Sequence, residues 1–149
     1  MSHIAGIDVG GTKCLGVVLD AQREVTSEHD VIRQVRNPTP RADKLVDALE
    51  VLARELGDVQ SIGVGIPGLI TLDGVMRASP NIPGSVDVAV GPELSQRLGR
   101  HVFVDNDGNL AALAEWRYGA ARGAKNMWMV TLGTGIGGGN VVNGVVQRG

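Results

Sequence analysis

The sequence predicts an α/β protein, a mixed sheet built with antiparallel hairpins and flanked by helices. Three observations carry that expectation. Residues 4–9, 13–20 and 24–35 form three strand-like runs separated by short turns, an antiparallel meander. Leucines at 45, 49, 52 and 56 then recur at helical spacing and lead into a largely apolar run at 59–66. The 22 glycines, about double the usual share of roughly 7%, gather into a few loops and repeat at no fixed period.

The first turn of the meander is Ile7-Asp8-Val9-Gly10-Gly11-Thr12-Lys13. Adjacent glycines permit left-handed backbone and a close approach to a ligand, and successive inward N–H groups make an anion nest. Asp8 ends the first strand and faces the same guest, which suits phosphate with Mg²⁺ between them. The seven residues alone fit a plain hairpin with a solvated Asp8 and Lys13 equally well. Pro38-Thr39-Pro40 then breaks the strand pattern. Thr39 as N-cap and Pro40 at the first helical position start a helix that Gly57 ends. The run at 59–66 suits a strand buried on both faces beside a parallel neighbour.

Gly65-Ile66-Pro67-Gly68, Thr71-Leu72-Asp73-Gly74 and Ser79-Pro80-Asn81-Ile82-Pro83-Gly84 follow at that strand's C-terminal end. Open α/β sheets bind ligands there, although Gly and Pro serve a simple turn as well. A short helix over 92–98 closes at Gly99, and a brief strand lies at 102–104. Asp105-Asn106-Asp107-Gly108-Asn109 opens a helix over 110–118 that Gly119 closes. One of the first three residues is its N-cap. The polar groups beyond that need suit a hydroxyl-bearing substrate.

Residues 120–126 read as a hinge, giving a first domain over 1–120 and the start of a second over 121–149. Arg122 and Lys125 within it read as solvated. A strand at 127–132 ends in Gly133-Thr134-Gly135-Ile136-Gly137-Gly138-Gly139. Gly133, Gly135 and Gly138 have the dinucleotide-fingerprint spacing, but that motif needs a helix next. Here Asn140-Val141-Val142-Asn143-Gly144-Val145-Val146 reads as a hairpin with an Asn143-Gly144 turn. Two glycine hairpins with an acidic strand end between them suit a nucleotide gripped across a cleft. Thr134 and the amides after it would cover the terminal phosphate.

Composition excludes several classes. Fourteen basic and 16 acidic residues, net charge −2, leave no footprint for a polyanion, so no nucleic-acid partner is expected. The single cysteine, Cys14, lies in an apolar run and reads as a small core residue. His3, His29 and His101 lack metal-ligand spacing. No apolar run approaches the roughly 18 residues of a membrane span, and the N-terminus has no signal-peptide pattern. A soluble, cytoplasmic protein without membrane contact is expected.

In this order, Asp8-Val9-Gly10-Gly11-Thr12-Lys13, Gly65-Ile66-Pro67-Gly68, Pro80-Asn81-Ile82, Asn106-Asp107-Gly108-Asn109 and Leu132-Gly133-Thr134-Gly135-Ile136-Gly137-Gly138-Gly139 resemble the ROK family (repressors, open reading frames, kinases). Within that family they are most similar to bacterial glucokinases. The resemblance implies an actin-like, ribonuclease-H-like fold, ATP with Mg²⁺, and phosphorylation of a hexose at its 6-hydroxyl. It makes Asp107 the base facing the sugar hydroxyl, with Asn106, Asn81 and the backbone at Gly68 on the other hydroxyls. Gly10, Gly11, Thr12 and Lys13 would hold phosphate from one side, and Gly133, Thr134, Gly135, Gly137 and Gly138 from the other. Asp8 would hold Mg²⁺, directly or through water.

In the family a Glu-x-Gly-His segment and a Cys-rich zinc motif follow the second glycine loop, whereas here the chain stops at Gln147-Arg148-Gly149. The expectation is the N-terminal portion of a longer kinase, with structural zinc only in the full-length chain. Alone, such a portion would lack full activity and self-associate as a homo-oligomer. The family's transcriptional regulators carry a helix-turn-helix ahead of the first hairpin, and only seven residues precede Asp8. A non-catalytic actin-like nucleotide-binding module is the other alternative, and the Asn106-Asp107 junction and the Asn81 loop argue against it.

Overall fold

The computed structural model describes residues 2–133 and 135–148. The chain divides into two compact units, Met1–Asp105 and Asn106–Gly149.

In the first unit, β1 (His3–Val9) and β2 (Lys13–Asp20) pair antiparallel, with Asp8 opposite Leu15 and Val9 opposite Cys14. Alternate side chains, Ala5, Ile7 and Val9 on β1 with Cys14 and Val18 on β2, point into the core, as the strand period of two requires. β3 (Arg33–Pro38) continues the meander as the edge strand, a place where a proline at the end costs no ladder bond. It is shorter than the expected run over 24–35. Ser27 and Asp30 form a capping box around a 3-10 turn at Glu28–Asp30, and the Asp30 carboxylate collects the N–H groups of Thr26 and Ser27. Those bonds hold its pKa below the ordinary value.

α1 (Leu45–Leu56) buries Leu45, Leu49, Leu52 and Leu56 on one face. At about 2 kcal/mol for each buried leucine side chain, this stripe is the helix's main attachment to the sheet. The helix starts later than expected, after a 3-10 turn at Ala42–Lys44, and neither segment has a side-chain cap. Thr39 is engaged elsewhere. β4 (Ser61–Ile66) lies parallel to β1, as expected, with Gly65 opposite Asp8.

Three short strands follow in what reads from sequence as loop: β5 (Leu69–Ile70), β6 (Met76–Ala78) and β7 (Val86–Val88), a separate antiparallel sheet. α2 (Val90–Leu98) begins two residues before Pro92, which occupies the first turn, where a missing N–H is tolerated. β8 (His101–Asn106) completes the sheet order β3-β2-β1-β4-β8.

The second unit holds α3 (Asp107–Arg117) and a sheet of β9 (Met127–Leu132), β10 (Ile136–Val142) and β11 (Val145–Gln147). Asn143 (φ 50°) and Gly144 (φ 78°) are both left-handed, so the expected Asn-Gly hairpin turn is present. α3 packs on β10 and buries Ala112 and Val141. The connector after α3 is bonded into the same unit. Trp116 Nε1 donates to the Ala124 carbonyl at 2.7 Å, Gly144 N–H to the Lys125 carbonyl at 3.2 Å, and Asn143 N–H to Asn126 Oδ1 at 2.8 Å. These bonds tie residues 124–126 to α3 and to the β10–β11 turn within the second unit. No helix among the described residues is long and apolar enough to cross a membrane.

Candidate functional site

The first unit presents the turn at residues 10–13. Gly10 N–H closes the hairpin on the Lys13 carbonyl at 2.9 Å. Neither Gly10 nor Gly11 is left-handed, so positive φ is not the reason for these glycines. A Cβ on Gly10 would lie 2.9 Å from the Lys13 carbonyl oxygen, whereas one on Gly11 would meet nothing within 4 Å. Gly11, Thr12 and Lys13 are exposed, as is Asp8 on the sheet face away from the core. Cys14, next along, is buried as expected, and burial pushes its thiol pKa up.

Gly68 and Asn81 are brought into one loop cluster by the small β5-β6-β7 sheet. Gly68 has φ +131°, and a side chain there would overlap the Ala78 carbonyl and crowd Ser79, two residues before Asn81. Buried Ile82 anchors that loop, and Ser85 Oγ donates back to the Ile82 carbonyl at 2.6 Å. Asn81 itself stands exposed. Ser79 Oγ is buried and has no hydrogen-bond partner.

The junction of β8 and α3 sorts its three polar residues. Asp105 is 8% exposed at the end of the strand and is not the helix cap. Asn106 is the N-cap, its Oδ1 accepting the Asn109 N–H at 3.1 Å, so that oxygen is committed to the helix. Asp107 is the first helical residue and half-buried, and its Oδ1 accepts the Gly108 N–H at 2.9 Å.

The glycine hairpin divides as well. Gly133 and Gly135 face open space, though Gly133 N–H is spent on the Gly135 carbonyl at 2.9 Å. Thr134 lies outside the described residues. Gly137 and Gly138 lie inside β10, and internal contacts account for their lack of side chains. A Cβ on Gly137 would sit 2.8 Å from Thr131 Oγ1, and one on Gly138 would overlap the Met129 carbonyl. The strand seats directly on the helix. A Cβ on Gly108 would lie 2.6 Å from the Gly138 carbonyl, and one on Gly139 would lie 2.8 Å from the Gly108 carbonyl. Asp107 therefore begins the turn that the glycine strand packs against.

The family model of the ROK family matches residues 4–149. The chain belongs to the ROK family. A glucokinase of Halalkalibacterium halodurans is 37% identical over 150 residues, covering 97% of this chain and 45% of that protein. An N-acetyl-D-glucosamine kinase of Escherichia coli is 40% identical over 147 residues, covering 93% and 46%. A ROK glucokinase of Streptomyces griseus, solved in complex with glucose and AMPPNP, superposes with TM-score 0.85 at 32% identity over 99% of this chain and 47% of that one. This ROK chain thus spans about half the length of the relatives it matches, and it has their actin-like ATPase fold.

Proposed function

We propose that the protein containing this chain phosphorylates a hexose with ATP, most simply glucose to glucose 6-phosphate. Kinase names among its relatives support a sugar kinase, for glucose in some and for N-acetylglucosamine in others. The observation that carries the reading is the seating of the Asp107 turn on the glycine strand of the second unit. It places a half-buried carboxylate at the start of α3, against the strand that carries Gly138 and Gly139.

Phosphoryl transfer is mostly positioning and charge stabilisation. Asp107 takes the proton of the 6-hydroxyl as that oxygen bonds the γ-phosphorus and the bond to ADP breaks. With Oδ1 held by Gly108 N–H, Oδ2 is the oxygen for that task. Asn81, the backbone at Gly68 and the amide end of Asn106 orient the sugar. Gly10, Gly11, Thr12 and Lys13 of the first hairpin, and Gly133, Thr134, Gly135, Gly137 and Gly138 of the second, are the residues proposed to receive phosphate. Mg²⁺ would neutralise phosphate charge when bound. No trio of His, Cys, Asp or Glu able to hold a metal occurs among the described residues. The exposed Asp8 carboxylate beside the turn, together with water and phosphate oxygens, fits the usual Mg²⁺ donor set.

The test is ADP release by the complete gene product with glucose, N-acetylglucosamine and N-acetylmannosamine as acceptors. Hexose-dependent release is expected, and Asp107→Asn should lower turnover by about 10³-fold while glucose affinity stays within about threefold. Turnover near the parent's in that variant would remove the proposed base.

A further inference from the structure

Thr39 sits between β3 and the 3-10 turn ahead of α1, and it caps neither. Its hydroxyl donates to the Gly10 carbonyl at 2.6 Å, and its backbone N–H donates to the Thr12 carbonyl at 3.1 Å. One residue thus holds two carbonyls of the same turn. A carbonyl can only accept, so the single hydroxyl proton lies on the Gly10 side. Cys14 Sγ, 3.8 Å from Thr39 Oγ1, is then the donor in their contact. Its buried thiol keeps the proton this requires.

In a planar trans peptide the carbonyl and the following N–H point to opposite sides. No cis peptide occurs among the described residues. With the Gly10 carbonyl drawn to Thr39, the Gly11 N–H is aimed away from it, on the exposed side of the turn. The Thr12 carbonyl, tied to the same residue, keeps its negative end off that side too. An anion nest needs both conditions: amides outward and carbonyl oxygens turned away.

We infer that Thr39 is a positioning residue for nucleotide binding, which by holding the Gly10 and Thr12 carbonyls aims the Gly11 amide at a phosphate oxygen. The inference rests on reading this turn as a nucleotide cradle. Thr39 itself touches no ligand.

The complete gene product, as parent, Thr39→Val and Thr39→Ser, is titrated with Mg-ADP and separately with glucose by calorimetry. Valine keeps the size and the N–H but removes the hydroxyl. Thr39→Val should weaken Mg-ADP about tenfold, the worth of one such hydrogen bond, and raise KM for ATP in proportion. Glucose affinity and kcat should stay within about twofold, and Thr39→Ser should recover the parent's Mg-ADP affinity. Unchanged Mg-ADP affinity in Thr39→Val overturns the inference. So does a parallel loss of glucose affinity, or a serine variant as weak as the valine one. Thr39→Ala removes the same hydroxyl without crowding and answers the same question where the valine variant does not fold. A parent protein that binds glucose but not Mg-ADP would instead bring down the cradle reading, and the role of Thr39 with it.

Discussion

Gly11 is the glycine of the first hairpin that internal structure does not require. Its backbone is not left-handed, and the place of its missing Cβ meets nothing within 4 Å, while the same place on Gly10 is filled by the Lys13 carbonyl. Room that the protein itself leaves empty is room for a guest. Gly11→Ala should therefore change stability by less than about 0.5 kcal/mol. It should weaken Mg-ADP by more than about tenfold in the complete gene product, read by calorimetry beside a thermal melt. Parent-like affinity would take Gly11 out of the cradle. The hairpin around it was legible because residue types and spacing are local signals. Thr39 was not, since Pro38-Thr39-Pro40 matches a helix-start signature while the hydroxyl's partner lies 29 residues back. At Gly137 and Gly138, a Cβ would meet Thr131 Oγ1 and the Met129 carbonyl, so the strand itself supplies a reason for glycine. A glycine required by a cross-strand neighbour and one required by a ligand look alike in sequence.

Between elements, the contact that matters for chemistry is α3 on β10, backbone against backbone. A Cβ on Gly139 would lie 2.8 Å from the Gly108 carbonyl and 2.9 Å from the Ala112 methyl, so no side chain fits without moving the helix. Gly139→Val should cost about 1–3 kcal/mol of stability, as overpacking does. It should lower kcat as well, because the displaced turn carries Asp107. Thermal unfolding and steady-state turnover check both, and a valine variant with the parent's melting point would mean that β10 does not seat on α3. The longer elements were readable from periodicity. Leu45, Leu49, Leu52 and Leu56 marked α1, and the apolar run at 59–66 marked β4 with a parallel neighbour. Strands β5, β6 and β7 were not, because two or three residues carry no period and their neighbours are Gly and Pro. In residues 24–30, strand-like composition lost to the side-chain bonds of Ser27 and Asp30.

For the molecule as a whole, the sheet of the second unit is covered by α3 on one face only. On the other face Trp128, Leu132 and Ile136 are 81%, 81% and 83% exposed, with Val130 between them. Trp128, Val130 and Leu132 are alternate residues of β9, and Ile136 pairs across from Leu132, so the four form one continuous apolar patch. Soluble monomers seldom leave such a patch in water. Proteins similar to this chain are about twice its length. Purified by itself, the 149-residue chain should self-associate, its weight-average mass in sedimentation velocity rising with concentration. The driving force is burial of apolar surface at about 25 cal/mol per Å², so association should strengthen with added sulfate. Two charges placed on the patch, Val130→Glu with Leu132→Glu, should return the chain to a monomer without loss of helix signal, since both positions point away from α3. A parent chain that sediments as a monomer at every concentration would show that this patch does not drive association.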